Sequence, residues 1–156
     1  LEEHGIFNRT ADYNRRLAAL SEQAARGKAL RAGDLSPTGA FLAPLGDVAF
    51  EELVDIYTEQ AAGLEQAGVD LFVIETMMTL SDARAAVLAV RSVSQKPIFV
   101  TFTCDENGRS ISGTARPQFL RPMPLRCEIS TGQRSSRATV SISRSASTTP
   151  SPSCRM

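Results

Sequence analysis

The chain has 156 residues, close to the size of one ordinary domain. Hydrophobic residues make up 42%, charged residues 22% and aromatics 6%, which suits a globular chain and excludes a collagen-like or wholly disordered one. The formal net charge is zero, so the total charge gives no reason to expect a polyanion partner.

No apolar run approaches the ~18 residues of a membrane helix, and Leu1 opens no basic and apolar secretory pattern. Three scattered cysteines make no disulfide framework. The expected setting is a reducing, cytoplasmic one.

The zero total conceals two unlike segments. Residues 1–114 carry 10 basic and 16 acidic residues; residues 115–156 carry seven Arg, no Lys and one acid, Glu128. That second segment also holds nine Ser, four Thr and five Pro. Such asymmetry calls for separate readings of the two parts.

In chain order, Tyr13, Leu17, Leu20 and Ala24 form one helical stripe. Thr10 is the expected N-cap and Gly27 the expected stop. Lys28 to Asp34 reads as a short strand that delivers Asp34 into a loop rich in Pro and Gly, Leu35 to Gly46. Asp47 is the expected cap of a second helix, with Phe50, Leu53, Val54, Tyr57, Ala61 and Leu64 on one face and Gly68 ending it. Val69 to Ile74 is a nearly continuous apolar run, expected of a strand buried on both faces, and it leads to Glu75-Thr76. Ser81 and Asp82 open a third helix, carrying Ala83, Ala86, Val87, Val90 and Val93. Pro97 stops it, and Ile98 to Thr103 is a further strand.

Strands alternating with amphipathic helices predict parallel β/α units. A doubly wound sheet and a (β/α)₈ barrel both fit. No G-x-G-x-x-G follows any strand, so a dinucleotide site has no support. Three strands cannot close a barrel, so a barrel reading means a partial one.

In either fold the chemistry lies at the C-terminal ends of the strands: Gly33-Asp34, Glu75-Thr76 and Thr103-Cys104-Asp105. Glu75 is the sharpest candidate, because a carboxylate after an apolar run is costly to bury without a cation such as a substrate ammonium. The plainer reading gives it a backbone or Arg partner. Asp34 reads first as a turn residue and Cys104 as a small apolar filler. Cys127 and Cys154 fall outside zinc-motif spacings, and His4, the only histidine, reads as solvated. No Ser-His-Asp, P-loop or paired-metal pattern is present.

An ordered series of short motifs carries a resemblance. It comprises Asp34-Leu35-Ser36-Pro37-Thr38-Gly39, Ala43-Pro44-Leu45-Gly46, Tyr57-Thr58-Glu59-Gln60, Ala67-Gly68-Val69-Asp70 and Ile74-Glu75-Thr76-Met77. It ends with Asp105-Glu106-Asn107-Gly108-Arg109-Ser110 leading to Ser112-Gly113-Thr114. The series resembles the homocysteine S-methyltransferase family, most closely the homocysteine-binding barrel of its cobalamin-dependent members.

The resemblance implies a partial (β/α)₈ TIM barrel, about strands three to five with their helices, in residues 1–114. It implies methyl transfer to the homocysteine thiol, giving methionine, with a methyl donor as second partner: methylcobalamin, S-methylmethionine or betaine. It implies substrate-binding roles for Glu75, which matches the family glutamate on the homocysteine amino group, and for Asp34 and Thr76 at the same mouth. It also implies a zinc ion held by three cysteines, which keeps the thiol deprotonated at neutral pH. The family's Asn-Cys and Gly-Gly-Cys-Cys patterns do not occur here, so no residue of this sequence is assigned to zinc. The family's first two strands have no counterpart either, and the chain is expected to be inactive and unstable alone.

Residues 115–156 are expected to form a disordered tail. They read either as a basic Arg/Ser segment able to meet phosphates or as the product of a shifted reading frame. The second is favoured because the break falls inside a family motif, and nucleic acid is therefore not an expected partner. Two rivals remain: a non-enzymatic β/α module with a nucleic-acid-binding tail, and another β/α-barrel enzyme. An aldolase is disfavoured because Lys28 and Lys96 precede strands instead of ending them.

Overall fold

The structure is a computed structural model that describes residues 9–43, 46–105 and 107–114, and the backbone of 126–130 and 137–143. His4, the stretch before Arg9, and the side chains of Cys127 and Cys154 lie outside the described residues.

The order is α1 (Thr10–Ala25), β1 (Ala32–Leu35), α2 (Phe50–Gln66), β2 (Leu71–Met77), α3 (Leu80–Val93) and β3 (Ile98–Thr103), then β4 (Arg126–Ser130) and β5 (Arg137–Ser143). β1, β2 and β3 pair in parallel, with Asp34 beside Val73 and Val73 beside Phe99. This is the expected α/β alternation, and it corresponds to a segment of a barrel wall.

β5 adds antiparallel to β3, and β4 to β5, so the sheet order is β1-β2-β3-β5-β4. Both stretches lie within residues 115–156, and their backbones pair as strands. Arg137–Ser143 alternates Ala138, Val140 and Ile142 with polar residues, a period of two that suits a strand. An antiparallel addition is not how a (β/α)₈ wall continues, since every strand of that fold is parallel.

The helices cover one face of the sheet. Gly33 and Leu35, Phe72, Ile74 and Met77, and Ile98, Val100 and Phe102 are buried beneath them. From α2, Leu53, Tyr57, Ala61 and Leu64 complete the core, and from α3, Ala83, Ala85, Ala86, Ala89 and Val90. Small residues on α3 let it lie close to α2.

The other face, carrying Asp34, Val73, Glu75, Phe99, Thr101 and Thr103, is exposed or half-buried. β2 is therefore covered on one side only. The two-sided burial expected from its apolar run requires the rest of a barrel interior, which these strands do not enclose.

Several local expectations give way to tertiary contacts. Leu17 and Leu20 of α1 are each 60% exposed, and Ala18 is the buried residue. The helix turns its small residues toward α2, where the Ala11 backbone crosses Gly63 so closely that no β-carbon fits between them. The N-caps are Arg9, Ala49 and Thr79, not Thr10 and Asp47, and α3 opens at Leu80, one residue before Ser81. Only Thr79 caps with its side chain, accepting the Asp82 N–H at 3.1 Å. α1 does close near Gly27, with Arg26 and Gly27 both left-handed, and α2 closes before Gly68 at φ 75°.

Candidate active site

Asp34 lies within β1 and not beyond it. It falls on the open face because Gly33 and Leu35 turn toward the core. Register places Asp34 beside Val73, and Glu75 two residues further along β2 shares that face. Two carboxylates from adjacent parallel strands thus meet near the C-terminal ends. Partial desolvation, and then the Glu75 charge, raise the Asp34 carboxyl above its ordinary value, while the Ser36 hydroxyl donating to Oδ2 at 3.2 Å opposes the rise.

Glu75 is exposed in this structure, so the burial cost invoked for it does not apply. Among the described residues, no Arg, Lys or backbone N–H partners its carboxylate.

The backbone at Glu75-Thr76 is irregular. Ile74 pairs with Val100 and Met77 with Phe102, so two residues of β2 stand opposite one, Thr101, in a β-bulge. Thr76 takes φ 60°, an uncommon value for a β-branched residue. Its N–H donates to the Thr101 hydroxyl oxygen at 2.8 Å. The extra residue returns Met77 to the covered face, where it is fully buried. The sequence reading missed both the bulge and Thr101. The available signal was the interval from Ile74 to Met77, which breaks the two-residue period of Phe72 and Ile74.

The loop after β1 is tied to α2. Gln60 Nε2 donates to the Asp34 carbonyl at 3.1 Å and the Tyr57 hydroxyl to the Ser36 carbonyl at 3.3 Å. Burial, and then the charge of buried Asp82, push the Tyr57 phenol up to about 12. Beyond β3, Asp105 folds its own turn, its Oδ1 accepting the N–H groups of Asn107 and Arg109 at 2.9 Å each. Asp105 is thereby a turn-former. Cys104 is buried at the end of β3, as expected of an apolar filler.

A cleft of about 290 Å³ lies at the opposite ends of the strands, between the end of α1 and the start of β1. Arg31 organises it. Its N–H donates to Asp70 Oδ2 at 2.7 Å, and its guanidinium pairs with Asp70 and Glu22 at 3.3 Å each and donates to the Gly68 carbonyl. These donations hold the Asp70 carboxyl below its usual range. Its position away from the C-terminal ends makes this a structural junction.

Among the described residues, no three His, Cys, Asp or Glu side chains converge as a metal site. Cys104 is the only cysteine whose side chain is described, so the described side chains do not make up a tris-thiolate zinc centre. No helix of the described residues is long and apolar enough to cross a membrane.

The fold and the ordered motifs have counterparts among known proteins. The apo crystal structure of the homocysteine methyltransferase MmuM from Escherichia coli superposes with a TM-score of 0.59 at 18% identity. The superposition covers 69% of this chain and 42% of that one, and at this identity it speaks for the fold. The chain thus spans less than half the length of that solved relative. The model of the family described as homocysteine S-methyltransferase matches residues 1–124, past Thr114, where the sequence motifs stop. That match takes in all three parallel strands, the bulge and both carboxylates, and by it the chain belongs to the homocysteine S-methyltransferase family of methyltransferases.

Proposed function

We propose that residues 1–114 supply the amino-group side of a homocysteine-binding barrel, and that the protein's activity is methyl transfer to the homocysteine thiol, giving methionine. The observation that carries this reading is the pair Asp34 and Glu75 on one open face at the C-terminal ends of β1 and β2. A carboxylate there with no Arg or Lys partner among the described residues is suited to an incoming ammonium, and a second carboxylate beside it deepens the negative potential. Glu75 is the acceptor of the ammonium, Asp34 its electrostatic support, and Thr76 the residue whose backbone shapes the mouth. The family membership supports homocysteine and a methyl donor as substrates.

The methyl donor lies beyond this face. Methylcobalamin is one candidate, and no step is assigned to it. No residue present is given to zinc, and thiol activation is not attributed to this segment.

The test uses the 156-residue chain, isotope-labelled, titrated by NMR with homocysteine and with 4-mercaptobutanoate, which lacks only the amino group. Homocysteine is expected to shift the Glu75 and Asp34 resonances and the analogue to leave them. Glu75→Gln should weaken homocysteine binding ~10-fold or more, the scale of one charge-assisted hydrogen bond. Equal responses to the two ligands, or undiminished binding by the variant, overturn the reading.

A further inference from the structure

The bulge in β2 sets Thr76 in a left-handed conformation that a β-branched residue ordinarily avoids. Two features hold it there. Met77, fully buried, anchors the far side. On the near side the Thr76 N–H, displaced from the regular ladder, finds the side chain of Thr101, 2.8 Å away on the neighbouring strand. Thr101 is the one residue that Glu75 and Thr76 jointly oppose. With regular pairing instead, the two-residue period would carry Thr76 toward the core and Met77 onto the open face. The peptide that follows Glu75 would then turn with it.

We propose that Thr101 is a positioning residue for substrate recognition: its hydroxyl oxygen, accepting the Thr76 N–H, fixes the bulge that orients Glu75 toward the substrate amino group. This rests on the reading of Glu75 as the ammonium acceptor. Thr101 acts through the backbone of Thr76, and the reacting sulfur does not depend on it. A valine at this position has nearly the same shape but no acceptor, and it leaves a half-buried N–H unpaired. A serine keeps the acceptor.

The experiment measures, in the 156-residue chain, the ratio of affinities for homocysteine and 4-mercaptobutanoate in wild type, Thr101→Val and Thr101→Ser. A residue needed only for folding would change both affinities together and leave their ratio alone. A positioning residue changes the ratio. The expected result is a wild-type preference for homocysteine that falls ~10-fold in Thr101→Val and is restored in Thr101→Ser. A preference retained in Thr101→Val overturns the role of Thr101 while the Glu75 reading stands. A wild type with no preference removes the Glu75 reading, and this inference with it.

Hydrogen exchange in the wild type gives a test that needs no variant to fold. The Thr76 amide should exchange more slowly than an unprotected one at that position. Exchange at the unprotected rate shows the Thr101 bond to be absent and overturns the proposal.

Discussion

Gly63→Ala sets two effects of known sign against each other. In an isolated helix the change gains ~1 kcal/mol, because alanine is the better helix former. At this helix crossing, however, an ideal β-carbon on Gly63 would lie 2.7 Å from both the Cα and the carbonyl oxygen of Ala11, and 3.1 Å from its carbonyl carbon. Carbon atoms ordinarily sit ~3.5–4.0 Å apart, so α1 must retreat by ~1 Å. Overpacking of this kind costs ~1–3 kcal/mol. The crossing wins, and a net loss of ~1 kcal/mol is expected. Urea unfolding followed by far-ultraviolet circular dichroism measures it as a lower midpoint at unchanged slope. The obstructing atoms are backbone, so Ala11→Gly should not rescue the variant. A rise in stability near the propensity value, or rescue by Ala11→Gly, would refute the close crossing of α1 and α2.

Other consequences follow from single contacts. The Asp34 carboxyl is raised on folding, so the native state holds its proton more tightly than the unfolded chain does; Asp34 therefore opposes folding at neutral pH, and the effect fades as pH falls toward 3.8. Asp34→Asn should accordingly be more stable than wild type at pH 7 with a difference that shrinks on acidification, and a difference that grows on acidification contradicts the assignment. Tyr57→Phe removes the hydroxyl that ties Ser36 to α2 and should cost ~1 kcal/mol in urea unfolding. In wild type the phenol should ionise near 12, so stability falls as pH climbs from 10, where an unfolded tyrosine ionises, toward 12; a phenolate absorbance titration without that late step, or one that Tyr57→Phe leaves intact, counts against it. Thr79→Ala removes the only side-chain cap among the three helices and should cost ~1 kcal/mol, whereas Thr10→Ala, at a position that caps nothing, should be near neutral; equal costs contradict the cap assignment.

The alternation of helix and strand was legible because it rests on local periodicity. β3 runs from Ile98 to Thr103, where its apolar run and the preceding Pro97 put it, and the buried face of α2 is the one its spacing gives. Glu75 and Asp34 were legible as strand-end carboxylates for the same reason. The ordered short motifs, each weak alone, gave the family.

The tertiary structure decided the rest. A helical stripe of apolar residues does not say which neighbour exists to cover it, so Leu17 and Leu20 stay exposed while Ala11 and Ala18 take the contact side. Caps depend on where a chain turns, not only on which residues accept hydrogen bonds. An apolar run cannot reveal whether both of its faces are covered, and β2 has one face open. The bulge depends on a partner 25 residues away, the Thr101 hydroxyl that receives the Thr76 N–H, and no window along β2 contains it. Local pattern fixes element type because periodicity is a property of neighbours in sequence. The setting of Glu75 is a property of neighbours in space, and it exists only once β2 and β3 are paired.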